Sequence, residues 1–277
     1  MYSLDECARL WDEVGQHGGK ASRIERSRSW LPYYAYLAEP MKTAPFSLEN
    51  ASDSAPAHLL REGLVGSTDT VLDIGAGMGG DSLIFASHGA NVTALEPSAD
   101  CLDVLRRRAQ RLAIHNIETV QTFWEDFDRQ ETFDVCYSSM CPAICNIDEL
   151  RRMEQLSRRL CCLVTVARGS YDRHRKAMMA ELGIQPKGGM VTEAIHYYNA
   201  LYLMGRQVNV LCRSFHHEAA IPRERILEQY PIYFRIFGVE AERSVPFLKD
   251  YLARNAPDGL LREESHINLA MLIWNVN

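Results

Sequence analysis

The sequence predicts a doubly wound α/β fold, a mostly parallel sheet with helices on both faces, and three observations lead there. Short apolar runs bounded by turn residues alternate with stretches whose apolar positions recur at helical spacing. The first clear run, Val71-Leu72-Asp73-Ile74, passes straight into a glycine-rich turn, Gly75-Ala76-Gly77-Met78-Gly79-Gly80. A later run, Leu160 to Ala167, is apolar throughout, as a strand buried on both faces requires. Strands joined through helices lie parallel, and the helices then cover the sheet on both sides.

Each element follows from its residues. Leu4 to about Val14 forms an amphipathic helix, followed by a Gly-rich break (Gly15, Gly18, Gly19) and an aromatic segment, Trp30-Leu31-Pro32-Tyr33-Tyr34-Ala35-Tyr36. Residues 1–56 are therefore expected to be a helical arm and 57–277 the sheet-bearing domain. After the glycine turn, Asp81 to Ala86 starts a helix. Asn91 to Leu95 is the second strand, ending in Glu96 and Pro97. Ser98 is placed to cap the next helix, Ala99 to Leu112, with Leu102, Leu105, Ala109 and Leu112 on one face. Asn116 to Phe123 and Phe133 to Ser139 are the third and fourth strands, and Leu160 to Ala167 is the fifth.

Beyond the fifth strand the pattern loosens. Tyr171 to Leu182 and Ala194 to Met204 read as helices, Val208 to Cys212 as a sixth strand and Ile267 to Val276 as a seventh. Between the last two, about 222–260 forms a helical insertion. Its spaced charges (Arg223, Glu228, Glu242, Lys249) suggest a largely solvated appendage or an oligomer contact, hence a homodimer as one expectation.

Composition excludes several classes. With 277 residues and 47% apolar content, the chain can bury a large core as one domain with insertions. No run approaches 18 apolar residues, so no membrane span is expected, and the N-terminus lacks a secretion-signal pattern. Eight cysteines in a chain of this length, two of them adjacent, point to reduced thiols in a cytoplasm. The net charge of −6 offers no footprint for nucleic acid. The small cluster Lys20, Arg23, Arg26 and Arg28 reads as solvated helix face.

A strand, a glycine turn and a helix make a nucleotide site. Glycine lets the backbone approach a ligand, and the helix begins with unpaired N–H groups. Glu96 at the tip of the next strand can accept hydrogen bonds from both ribose hydroxyls. Gly75-x-Gly77-x-x-Gly80 formally satisfies the dinucleotide fingerprint. However, Asp73 would repel a pyrophosphate held so close to it, whereas a sulfonium amino acid is attracted.

Gly75-x-Gly77-x-Gly79 preceded by Asp73 resembles the first motif of class I S-adenosylmethionine (SAM)-dependent methyltransferases. Glu96 and the Phe133-Asp134-Val135 opening of the fourth strand continue that resemblance over about residues 65–170. It implies a seven-stranded sheet whose antiparallel last strand inserts between the fifth and sixth. It also implies SAM as cofactor, with Asp73, Gly75, Gly77 and Gly79 around the methionine part and the Ser138 backbone facing its ammonium. Glu96 and Pro97 would lie at the ribose and Trp124, Glu125 and Asp126 beside adenine, with Asp126 as partner of the exocyclic amine.

For the acceptor, the aromatic arm suggests a lid over the cleft, so Trp30, Tyr33 and Tyr34 are candidate substrate contacts, joined by Met140 and Tyr198. The segment Ser138-Ser139-Met140-Cys141-Pro142 is neither the Asn/Asp-Pro-Pro-Tyr/Phe signature of base-methylating enzymes nor the Pro-Cys order of cytosine-C5 enzymes. A small molecule is thus the expected acceptor. A protein or RNA acceptor, or a SAM- or NAD-binding module without transfer, are the alternatives. Candidate catalytic groups are His196, Tyr197 and Cys141, the last either a reactive thiol or a small residue filling the turn. His217 and Glu218 read as an exposed loop pair, Cys212 as core packing, and no metal-ligand spacing stands out.

Overall fold

The computed structural model describes residues 3–14, 20–49, 52–184 and 192–276; the Gly15–Gly19 break lies outside them. Among the described residues, four α-helices precede the sheet: α1 (Leu4–Val14), α2 (Lys20–Ser29), α3 (Leu31–Met41) and α4 (Ala55–Arg61). The alternating unit follows as β1 (Thr70–Ile74), α5 (Gly80–Ser87), β2 (Asn91–Leu95), α6 (Ala99–Arg111), β3 (Ile117–Val120), β4 (Phe133–Ser139), α7 (Ile147–Gln155) and β5 (Ser157–Val166). Ser98 caps α6 as its sequence position requires, accepting from the Cys101 N–H at 3.3 Å.

The C-terminal part comprises β6 (Tyr171–Asp172), α8 (Arg173–Glu181), α9 (Ala194–Leu203), β7 (Val208–Pro222), α10 (Arg223–Arg235), α11 (Ala241–Asn255) and β8 (Leu260–Asn275). Strand order is β3-β2-β1-β4-β5-β8, with β8 antiparallel to β5. β7 runs along the other edge of β8 from Val208 opposite Trp274 to Pro222 opposite Leu260. The doubly wound sheet with an inserted antiparallel last strand is therefore present. It has eight strands rather than seven because Tyr171–Asp172 pairs with β8 beyond the end of β5.

Two differences share one cause. The sixth and seventh strands extend well past their expected ends, and Tyr171 is strand rather than helix. The extra length is a ribbon in which β7 is exposed almost throughout, while β8 buries Leu261, Glu263 and Ser265 on one face. With two of those three residues polar, no period-2 apolar signal reveals the strand. His216, His217 and Glu218 are consequently strand residues rather than a loop pair, and Cys212 is exposed rather than core.

Apolar side chains fill both sides of the sheet. Leu72, Ile74, Cys161 and Trp274 meet α1, α7 and α9 on one face, while Val71, Val135, Cys162 and Ile273 meet α4 and α5 on the other. Cys161 and Cys162 thus point to opposite faces, as neighbours in a strand must. α1 belongs to this core: Cys7 and Trp11 are buried, and Trp11 packs edge-on against Tyr197 at 4.8 Å. The appendage, α10 with α11, forms a smaller core with α8 through Met178, Phe234, Leu248 and Leu252. Trp30 and Tyr33 of the arm pack against that core. Among the described residues no helix is long and apolar enough to cross a membrane.

Candidate functional site

The glycine turn is held by the strand beside it. The N–H groups of Gly75 and Ala76 both donate to the Leu95 carbonyl at 2.9 Å, closing the turn over the end of β2. Gly75, Gly77 and Gly79 have φ of 78°, 53° and 77°, a region that favours glycine. Their spatial reasons differ. A Cβ on Gly79 would sit 2.3 Å from Leu105 Cγ, and one on Gly75 would sit 2.3 Å from Cys141 Sγ. A Cβ on Gly77 would meet nothing within 4 Å.

Open space at Gly77 is the floor of a cavity of about 300 Å³. Gly75–Gly77, Glu96, Pro97 and Cys101 form one side, Phe123, Trp124 and Glu125 a second, and Ser139–Ala143 a third. Ser27, Trp30, Leu31 and Tyr34 of the N-terminal arm form a fourth side. Among the described residues, two carboxylates line this space and no lysine or arginine does.

Glu96 is fixed by the backbone around it. The Gly77 N–H donates to Oε2 at 3.0 Å and the Ser98 N–H to Oε1 at 2.9 Å, leaving one free lone pair on each oxygen. Burial pushes its carboxyl above the usual range, and these two hydrogen bonds pull the other way. Behind the turn, Asp73 accepts from Ser82 Oγ at 2.5 Å, and Asp81 accepts from the Tyr137 hydroxyl at 2.7 Å. Burial first and the Asp81 charge second push Asp73 up to about 7, and no cation enters the balance. Asp81 is raised by burial too. This pair of carboxylates has the field a bound cation would relieve.

On the third-strand side, a 3-10 turn at Trp124–Asp126 presents Trp124 and Glu125 to the cavity. Trp124 Nε1 donates to Glu149 Oε2 at 2.6 Å, and Arg152 stacks on its ring at 4.1 Å. Arg23 reaches across from α2 to Glu149 (2.7 Å) and Glu125 (3.5 Å), so it is a clasp between arm and site rather than solvated face. Asp126 is exposed and outside the cavity lining. Glu125, one residue earlier, is the acid that faces in.

Several other predicted residues fall elsewhere. Ser138 is buried and donates from Oγ to the Ile74 carbonyl; the neighbouring Ser139 lines the cavity. Tyr33 accepts from Gln229 at 2.7 Å and packs on Tyr233, on the appendage side of α3. Tyr198 stacks on Tyr202 in the open. Met140 does line the cavity and adopts φ of 51°, a strained value for a side chain of its size.

None of the three catalytic candidates is poised to act as a base. Burial drives the Cys141 thiol up to about 12, helped by the charges of Glu96, Asp73 and Glu125, so it stays protonated against the glycine turn. The Tyr197 hydroxyl is buried and donates to the Ile144 carbonyl. His196, lowered by burial, sits near Trp11 at 6.4 Å in the α1–α9 contact rather than on the cavity wall.

Asp81, Arg23 and Phe123 are given no site role by the sequence. Asp81 has a usable signal, an acid just past the glycines. Arg23 has none, because its partners lie 102 and 126 residues further along the chain.

Comparisons with known proteins agree with this architecture. Residues 71–161 match the family model described as a methyltransferase domain. An uncharacterised Haemophilus influenzae protein is 31% identical over 93 residues, 33% of this chain and 35% of that one, so the match spans about a third of the relative's length. A methyltransferase candidate from Bacillus halodurans superimposes with a TM-score of 0.53 at 14% identity, over 80% of this chain and 99% of that one. Magnesium protoporphyrin IX methyltransferase from Synechocystis, solved with bound S-adenosylhomocysteine, gives 0.52 at 15% identity (69% and 90% covered). Coclaurine N-methyltransferase, bound to N-methylheliamine and S-adenosylhomocysteine, gives 0.50 at 14% identity (98% and 94% covered). Residues 71–161 thus match a methyltransferase domain, and the sheet order and the glycine turn agree with the fold of those structures.

Proposed function

We propose that the protein transfers the methyl group of SAM to a small-molecule acceptor. The observation that carries this reading is the cavity itself: bordered by the arm, lined by Glu96 and Glu125 and, among the described residues, without a cationic side chain. Such a lining suits a cationic sulfonium and an amino group and is hostile to a dinucleotide's pyrophosphate. Asp73 and Asp81 supply the field for the methionine ammonium, and Glu96 offers two free lone pairs to the ribose hydroxyls. Trp124 and Glu125 flank the adenine. The two named structural neighbours whose acceptors are known act on small molecules, an alkaloid and a porphyrin, which supports the same class here.

The mechanism then rests on placement. Trp30, Leu31 and Tyr34 exclude water from the sulfonium and confine the acceptor against Met140 and Cys141. Tyr34 is held in its neutral form by burial, so it orients by hydrogen bonding and removes no proton. With Glu96 assigned to the ribose and Glu125 to the adenine side beside Arg23, the favoured acceptor brings its own lone pair at neutral pH: an uncharged amine or an ionised thiol. SAM, S-adenosylhomocysteine and NAD⁺ in a thermal-shift panel test the cofactor. A ligand at 100 times its dissociation constant adds about 2.7 kcal/mol of stability. Stabilisation by NAD⁺ and none by S-adenosylhomocysteine would sink the proposal. A panel of amines, thiols and phenols, monitored by S-adenosylhomocysteine formation, tests the acceptor class.

A further inference from the structure

The β7–β8 ribbon carries a polar cluster outside the cavity lining. In its register His216 lies opposite His266 and Glu218 opposite Glu264. Residues two apart in a strand share a face, so all four side chains project from one side of the ribbon. Two carboxylates directly opposite each other repel, and here they flank a pair of imidazoles. A bound cation would turn that arrangement from unfavourable to favourable.

The distances suit such an ion. His216 Nδ1 is 3.1 Å from His266 Nε2, and His266 Nε2 is 3.4 Å from Glu264 Oε1. A tetrahedral zinc ion with bonds of about 2.0–2.1 Å holds its ligands about 3.3–3.4 Å apart. One ligand atom from each of His216, Glu264 and His266 lies within 4.8 Å of the others. All three side chains are exposed, so small rotations can close the remaining gap and the ion has an open path in.

The fourth residue has a separate part. His216 Nε2, on the far side of the ring from His266, is 3.1 Å from Glu218 Oε1. A carboxylate on the second nitrogen of a metal-binding imidazole fixes its orientation and raises its basicity. The cluster therefore contains three ligands and one orienting acid, more than an accidental group of surface charges.

We propose that His216, Glu264 and His266 bind a divalent transition-metal ion, zinc being the best fit, with Glu218 positioning His216 and water completing the coordination. Two neutral imidazoles and a carboxylate favour zinc, copper or nickel over calcium or magnesium, which take oxygen ligands. The ion would staple the two strands at the point where they leave the sheet and carry the appendage between them.

The test uses the full chain, freed of metal by chelation and titrated with Zn²⁺ against a chromophoric chelator. The triple variant His216→Ala, Glu264→Gln, His266→Ala should lose one zinc equivalent. Glu218→Gln, which keeps every direct ligand, should bind that equivalent about tenfold more weakly. Circular dichroism checks that the variants fold; the exposed positions predict that they do. Unchanged stoichiometry and affinity in the triple variant overturns the proposal. If that variant does not fold, Glu218→Gln decides alone: tenfold weakening upholds the site and an unchanged affinity refutes it.

Discussion

Replacing Glu96 with alanine tests the cofactor geometry at its most explicit point. Each carboxylate oxygen already accepts one backbone N–H, from Gly77 and Ser98, and keeps one lone pair for a ribose hydroxyl. Hydrogen bonds to a charged group contribute about 1.5–3 kcal/mol each. Water entering the vacated space replaces part of both, so the expected net loss is about 1.5–3 kcal/mol in total, or about 10- to 150-fold in affinity. The unliganded fold should change little. Glu96 is a buried carboxylate without a cation, and the two N–H groups it releases face a cavity that water can fill. A loss of about 1 kcal/mol corresponds to a melting shift of about 2–4 °C. Glu96→Gln should be no better tolerated than alanine. Both oxygen positions receive an N–H donor, so one end of the amide must set donor against donor. Calorimetric titration with S-adenosylhomocysteine reads the affinity, and a melting curve without ligand reads the fold. An unchanged dissociation constant in Glu96→Ala would refute the argument and place the ribose elsewhere.

Three further outcomes follow from the same geometry. Asp73 is held up to about 7, above its unfolded value, so its share of unliganded stability is full below about pH 4 and is lost as pH rises through 7. A bound cation favours the ionised form and expels the proton, so SAM affinity should climb about tenfold between pH 6 and 8. Asp73→Asn should flatten that slope, and a flat profile in the parent would contradict the assignment. Gly79→Ala combines left-handed strain with a clash at the buried Leu105, for an expected destabilisation of about 2–4 kcal/mol. Gly77→Ala meets no neighbour and should cost only the strain, about 1–2 kcal/mol, while weakening the ligand; equal melting temperatures for the two would count against this distinction. Tyr197→Phe leaves the Ile144 carbonyl unpaired and should lower stability by about 1–3 kcal/mol with turnover per folded molecule unchanged. Cys141→Ala should likewise preserve turnover within a few-fold. A collapse of turnover in either folded variant would restore it as a catalytic candidate.

The sequence made the central half of the molecule legible because its signals are local. Glycines that need positive φ, an apolar strand before them, and Ser98 at a helix start each announce themselves within a few residues. Gly75, Gly77, Glu96 and Trp124, singled out by such signals, line one cavity. What stayed hidden depends on partners far along the chain. Tyr197 looked like a catalytic phenol because nothing nearby shows that the Ile144 carbonyl claims it. Asp126 and Glu125 are equally acidic neighbours, and only the 3-10 turn decides which faces inward. The ribbon escaped detection because β7 is held by its pairing with β8 and the face that β8 buries there is mostly polar. The expected division at residue 56 overlooked α1, whose Trp11 is part of the main core.

The helix α3 has two neighbours at once. Trp30 borders the cavity and also contacts Tyr233 and Phe237 of the appendage, at 6.1 and 6.3 Å between ring centres. The wall of the reaction chamber and the insertion between β7 and β8 are thereby one packing unit, although about 200 residues separate them in the chain. A change of ring size at position 30 alters both the space offered to an acceptor and the fit of the appendage. Substitutions at 30, 233 and 237 should therefore be accepted together or not at all in related sequences. An exchange of appendages between relatives should work only when α3 travels with them.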